Sequence, residues 1–262
     1  MNGGPGFKAI SEKLKKGRAC YWVLLDPDDF SFARGAAVAR QAQAAGVDAL
    51  LVGGSLMHTN HFNRFVATIK KNVSVPVILF PGDSTQLSSH ADAILFLSLI
   101  SGRNPVNLIG EHVKAAPLIR ESGIEPIATA YMLVESGAVT SVEFMSNTRP
   151  LPRNKPMIAA SHALAAQYMG MSMVYLEAGS GAPKPVPDDM IRKVRSSIDI
   201  PIIVGGGIRD AATARGIPPT PNTATPQPPP HAPPRSFPQS QLLTPLPRRL
   251  TGSTRRPLDT SP

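Results

Sequence analysis

Asp26 stands directly after Cys20 to Leu25, a run that contains only apolar and aromatic residues. A carboxylate leaving a buried strand is costly unless water, hydrogen bonds or a cation compensates it. Oxygen ligands from Asp26 and from Ser55, which closes the run Gly53-Gly54-Ser55, suit magnesium, an ion that keeps several waters and reaches substrate phosphates. Asp26 taken alone is equally suited to capping the turn that follows, and Asp28 and Asp29 read as loop carboxylates. Two glycine-rich stretches, Gly179-Ser180-Gly181 and Gly205-Gly206-Gly207, can present backbone N–H groups to phosphate oxygens, or can simply make tight turns. Tyr175 and Glu177 lie two apart in an apolar run and so share one face of a strand. One can hold a substrate while the other accepts a hydrogen bond from a hydroxyl, or the two can form a buried pair satisfied within the protein.

Other chemistries find less support. There is no lysine-bearing nucleotide loop and no glycine cluster after the first strand. His58 and His61 are three apart, but a zinc site needs a third ligand that the sequence does not supply. Neither Ser161 nor Ser180 sits in a strained nucleophile turn, and His162 lies in a helical pattern.

For the remaining candidates to act together, separate elements must bring them to one place. Short branched apolar runs alternate with longer helical patterns through the first 210 residues. Strands are expected at 20–25, 49–52, 77–80, 93–97, 125–130, 174–177 and 201–204. Helices are expected at 7–16, stopped by Gly17, and at 33–45, 60–71, 157–168 and 188–196. Another runs from Pro105 toward Ser122, with Pro117 kinking it or ending it early. Phe62, Phe65, Val66 and Ile69 fall on one helical face and are expected to turn inward. Residues 135–155 are aperiodic and form an excursion before the next helix. The class is α/β, and the short strands with glycine-rich ends favour a TIM-type (β/α)8 barrel over a doubly wound sheet. In a barrel the βα loops converge beyond the C-terminal ends of the strands, where Asp26, Ser55, Glu177 and Gly206 all fall.

The pattern stops at about residues 210–215, dividing the chain into a barrel domain, 1–210, and a tail, 211–262. From Gly216 onward there are 14 prolines and no lysine. Proline fixes φ and donates nothing to a ladder, so this composition is not expected to form the last βα unit. The tail is either a disordered extension in its place or the product of a change of reading frame. Both leave the barrel incomplete, with its first and seventh strands as edges.

A length of 262 residues suffices for one large core, and 42% hydrophobic residues with a mean hydropathy of −0.04 suit a soluble protein. The N-terminus lacks a secretory apolar region, and the single cysteine, Cys20, excludes an intrachain disulfide and reads as a buried thiol. Cytoplasmic residence is expected. The net charge of +9 is uneven, because residues 217–262 hold five arginines against one acid, Asp259. The remaining positive charge is scattered, which argues against a nucleic-acid partner and suits a phosphorylated substrate.

Several of these segments together resemble the geranylgeranylglyceryl phosphate synthase and heptaprenylglyceryl phosphate synthase family. They are Leu24-Leu25-Asp26-Pro27-Asp28, Leu51-Val52-Gly53-Gly54-Ser55, Ile78-Leu79-Phe80-Pro81-Gly82, Phe96 through Pro105, Tyr175 through Gly181 and Ile203 through Arg209. The resemblance covers about residues 7–210. It implies a magnesium-assisted prenyltransferase that joins a polyprenyl diphosphate to the terminal hydroxyl of sn-glycerol 1-phosphate as an ether. It assigns magnesium (Mg2+) to Asp26 and Ser55, and catalysis to Asp26 and Glu177. The glycerol phosphate falls to Tyr175, Leu176, Glu177, Ala178, Gly179, Ser180 and Gly181 with Gly206 and Gly207, and a diphosphate contact to Arg103. The run Tyr175 to Gly181 looks more like the geranylgeranyl branch than the heptaprenyl one. Phe96, Tyr131 and Met132 become candidate walls for the isoprenoid, or else ordinary core; peripheral membrane contact is expected, and homo-oligomers if the barrel is complete. A different sugar-phosphate barrel enzyme and an inactive truncated product are the alternatives. The sequence departs from the family's pattern in two ways. Some relatives carry a lysine where this chain has Leu24 or Asp29, and a glycine-asparagine pair at the end of strand eight has no counterpart here.

Overall fold

A computed structural model describes residues 5–15, 19–208 and 240–244. Seven parallel strands curl around a common interior: β1 (Cys20–Leu25), β2 (Ala49–Val52), β3 (Val77–Leu79), β4 (Ala93–Leu99), β5 (Glu125–Leu133), β6 (Met173–Glu177) and β7 (Ile202–Gly205). Helices α1 (Pro5–Lys15), α2 (Phe32–Ala44), α3 (Phe62–Asn72), α4 (Glu111–Ser122), α5 (Ser141–Ser146), α6 (Pro156–Tyr168) and α7 (Asp188–Arg195) complete the βα pattern. This is a (β/α)8 barrel without its last βα unit, as expected from the sequence.

The strand period sorts the core into two layers. Cys20, Trp22 and Leu24 point into the barrel with Leu51, Ile78, Tyr131, Tyr175 and Ile203. Val23 and Leu25 point outward and pack with Phe65, Val66 and Ile69 of α3, the inward face read from the sequence. Cys20 is buried, as expected. Pro117 does not end α4, which continues to Ser122 and closes on Gly123 at φ 72°. Pro117 is exposed, so water can satisfy the carbonyl left without a partner. A wider π-helical turn, Val106–Gly110, precedes α4.

The gap between β1 and β7 is bridged. A strand from the tail, β8 (Ser240–Thr244), runs antiparallel to both neighbours, pairing Cys20 with Leu243 and Ile202 with Thr244. The first and seventh strands are therefore not open edges, contrary to the sequence expectation. The physical reason is local. Gln239 to Thr244 is free of proline between Pro238 and Pro245, so its N–H groups are available to a ladder. The rest of the expected disordered tail lies outside the described residues, as do Lys16, Gly17 and Arg209. Among the described residues no helix is long and apolar enough to cross a membrane.

Candidate active site at the barrel mouth

β1 delivers Asp26 to the mouth. Its Oδ1 accepts a hydrogen bond from the Asp28 amide at 3.0 Å. Burial raises its pKa, with further upward pressure from Asp29 and Asp28. β2 delivers Gly54 and Ser55 beside it: a Cβ on Gly54 would lie 2.6 Å from Asp26 Oδ2. Asp28 instead accepts from the amides of His58 (2.7 Å) and Thr59 (3.1 Å), the loop role read for it. Among the described residues no cluster of three or more His, Cys, Asp or Glu forms a metal cage. Magnesium needs none, since one or two carboxylates with water and substrate phosphate suffice. Asp26 and Ser55, which line one cavity, fit that requirement.

Across the mouth, Glu177 ends β6 and is only 2% exposed. Its Oε1 accepts a 2.6 Å hydrogen bond from the Gly179 amide. Burial pushes its carboxyl up to about 7, against the opposing pull of Gly179 and Tyr175. The buried Tyr175 hydroxyl and Glu177 Oε2 both border the space that a Cβ on Gly205 would take, at 2.6 and 2.8 Å from it. Burial and the Glu177 charge hold that hydroxyl in its protonated form. The two rings Tyr131 and Tyr175 meet edge to face at 5.2 Å, and Phe80 lies 5.4 Å from Tyr175.

The glycine loops converge here as well. Gly179 and Gly206 adopt φ of 102° and 78°, a region that L side chains avoid. A Cβ on Gly206 would run into Glu177, so the loops after β6 and β7 touch. Gly207 backs onto Lys184 and Pro185 instead. Asp26, Ser55, Glu177 and Ser180 line a single cavity of about 530 Å³. Leu176 and Ala178 point the other way, into the outer core, and Ala178 donates its N–H to Gly205. Their side chains do not reach the mouth. Nor does Arg103, whose guanidinium is turned onto the carbonyls of Gly102 (2.7 Å) and Ile100 (3.4 Å).

A second cavity of about 320 Å³ shares Ser55, Phe80 and Tyr131 with the first and runs between β4 and α4 past Phe96, Leu97 and Ala115. A mainly apolar groove, with Asn104, Glu111 and His112 also in its wall, thus leads away from the mouth that holds Asp26 and Glu177. Phe96 and Tyr131 line it as expected, whereas Met132 faces the outer core with Val174 and Ala163. Residues 135–155 are more than an excursion. Their helix α5 brings Val139, Thr140, Phe144 and Met145 over the mouth. A signal for it exists in Thr140-Ser-Val-Glu143, a capping-box spacing, and Thr140 Oγ1 does accept from the Glu143 amide.

The model of the PcrB family matches residues 12–219. The chain belongs to the PcrB family. Geranylgeranylglyceryl phosphate synthase of Chitinophaga pinensis is 47% identical over 208 residues, covering 79% of this chain and 82% of the relative. The enzyme of that name from Pyrococcus horikoshii is 48% identical over 209 residues, covering 79% and 81%. Wild-type GGGPS from Thermoplasma volcanium superposes with a TM-score of 0.75 at 41% identity, over 80% of this chain and 84% of that one. (S)-3-O-geranylgeranylglyceryl phosphate synthase from Thermoplasma acidophilum, solved in complex with its substrate sn-glycerol-1-phosphate, superposes at 0.77 with 35% identity, over 83% and 86%. This PcrB-family chain therefore shares both the sequence and the barrel of those enzymes.

Proposed function

We propose that the chain is a prenyltransferase that joins a polyprenyl diphosphate, by preference geranylgeranyl diphosphate, to sn-glycerol 1-phosphate in lipid biosynthesis. The observation that carries this reading is the continuity of the apolar groove with a mouth holding both Asp26 and the glycine loops. A sugar-phosphate enzyme would have no use for such a groove.

In the reaction, the bond between the first prenyl carbon and the diphosphate oxygen breaks. A bond from that carbon to the terminal hydroxyl oxygen of glycerol phosphate forms, and diphosphate departs. Glu177 orients that hydroxyl and takes its proton, a role suited to a carboxyl poised at about 7. The loops carrying Gly181, Gly206 and Gly207 bind the phosphate through backbone N–H groups, which positive φ can present to an anion, while the Gly179 amide holds Glu177. Asp26 and Ser55 hold magnesium, which when bound supplies charge neutralisation for the leaving diphosphate. Phe96, Leu97 and Tyr131 sheathe the isoprenoid and exclude water from the reacting carbon. Arg103 reaches the diphosphate only by leaving its present carbonyl partners.

The mouth exposes Phe144 (77%) and Val139 (71%), which supports peripheral contact with the membrane in which such a substrate resides. Val106, Ile109 and Val113 form an exposed apolar stripe running into α4, which supports burial against a second copy.

The test is release of diphosphate from geranylgeranyl diphosphate with magnesium present, expected only when sn-glycerol 1-phosphate is added. Release without the acceptor, or undiminished turnover by Asp26→Ala, overturns the reading.

A further inference from the structure

Gln86 is a polar side chain with 1% exposure that follows closely after the Ile78 to Gly82 segment but lies outside it. It lies in the loop after β3, and its carboxamide pairs with both backbone groups of one residue in the loop after β2. Gln86 Oε1 accepts from the Gly54 N–H at 3.2 Å, and Gln86 Nε2 donates to the Gly54 carbonyl at 2.9 Å. A glutamine amide thus takes the place that a neighbouring strand would occupy in a sheet. Three glycines make the approach possible. A Cβ on Gly53 would strike the Phe80 carbonyl, and one on Gly82 would strike the Gly54 carbonyl and lie 3.1 Å from Gln86 Nε2. A Cβ on Gly54 would press on Asp26.

Gly54 is therefore held between two groups, the Asp26 carboxylate on one side and the Gln86 amide on the other. Ser55 follows it directly. The loop has no regular secondary structure of its own at these positions, so its backbone is set by what grips it. A buried amide that pairs with both the N–H and the C=O of one residue holds the two peptide groups that flank it, and losing either bond leaves a buried polar group unpaired.

We infer that Gln86 is a positioning residue for the cation site, holding the Gly54-Ser55 peptide so that Ser55 stays beside Asp26. The inference rests on the metal role proposed for Asp26 and Ser55. Groups behind metal ligands that fix their orientation are worth about 10–100-fold in metal affinity. The grip does not extend across the mouth. Among the described residues its side-chain hydrogen bonds go to Gly54 and not to Glu177 or Gly179, so binding of glycerol phosphate should not feel its loss.

The experiment titrates Mn2+ into the full chain with inorganic diphosphate present, follows free Mn2+ by electron paramagnetic resonance, and measures sn-glycerol 1-phosphate binding separately by calorimetry. Gln86→Met preserves volume and removes both hydrogen bonds. Gln86→Glu preserves shape but sets a carboxylate against the Gly54 carbonyl, and serves if the first variant fails to fold. Each is expected to weaken Mn2+ at least about tenfold while glycerol phosphate affinity stays within about twofold and the circular dichroism spectrum is retained. Unchanged Mn2+ affinity in a folded variant overturns the inference, as does an equal loss for both ligands, which would mark a general structural role. If wild type binds no Mn2+, or Asp26→Asn binds it as well as wild type, the metal reading itself fails and the inference falls with it.

Discussion

Gly206 leaves no space for a side chain against Glu177, since a Cβ there would overlap Oε1 and lie 2.6 Å from the Gly179 amide nitrogen. The loop after β7 is thereby packed on the carboxylate and on the anion loop at once. Gly206→Ala adds both this overlap and the cost of a left-handed backbone, about 1–2 kcal/mol. Calorimetry should show sn-glycerol 1-phosphate binding weakened at least about tenfold, with the barrel still folded. Full affinity in this variant would exclude the loop as part of the phosphate site.

Glu177 should impose a pH dependence of opposite sign on stability and on turnover. Burial pushes its carboxyl up to about 7 in the fold from the ordinary glutamate value of 4.5. Between these values the folded chain keeps a proton that the unfolded chain has lost, so stability falls as pH rises through that window. The full contribution is on the order of 3 kcal/mol. In urea unfolding, Glu177→Gln should lack this loss, so that its advantage over wild type grows from about pH 5 to about pH 8. Turnover by wild type should instead rise as the carboxyl ionises near 7, and the variant should lose about 10²–10⁴-fold in kcat. A parallel stability profile for the two proteins would contradict the buried-acid assignment.

Filling the groove should separate the two substrates. Ala115 is buried on α4 and lines the apolar cavity away from the mouth. Ala115→Leu crowds that space at a cost of about 1–3 kcal/mol to whatever occupies it. Steady-state kinetics should show KM for geranylgeranyl diphosphate raised about tenfold and the constant for glycerol phosphate unmoved. An equal rise for both would place the isoprenoid elsewhere.

Removing residues 240–262 tests the tail strand. β8 pairs with β1 and β7, and without it both buried strands present unpaired backbone groups. The truncated chain should unfold at lower temperature and associate with rising concentration, as read by thermal unfolding and light scattering. Retention of the full Tm as a species of unchanged size would show that the strand contributes nothing.

Much of this was visible along the chain. Asp26 stands out because a charge after a wholly apolar run needs a compensating partner, and the two-residue strand period alone places Tyr175 and Glu177 on one face. The glycine runs and the seven βα repeats are equally local signals, and they sufficed for the barrel. Pairings between distant segments were not legible. Gln86 reads as one polar residue among several until Gly54 is beside it, and α5 reads as an aperiodic stretch until Thr140 packs against Gly179. β8 depends on a gap between strands that are far from it in sequence. The amino-acid order by itself determined which residues are apolar, which backbones can turn left-handed and where proline forbids a ladder. Which loops grip one another, and whether the groove joins the mouth, was decided only in three dimensions, because those contacts join residues whose separation along the chain carries no periodic trace.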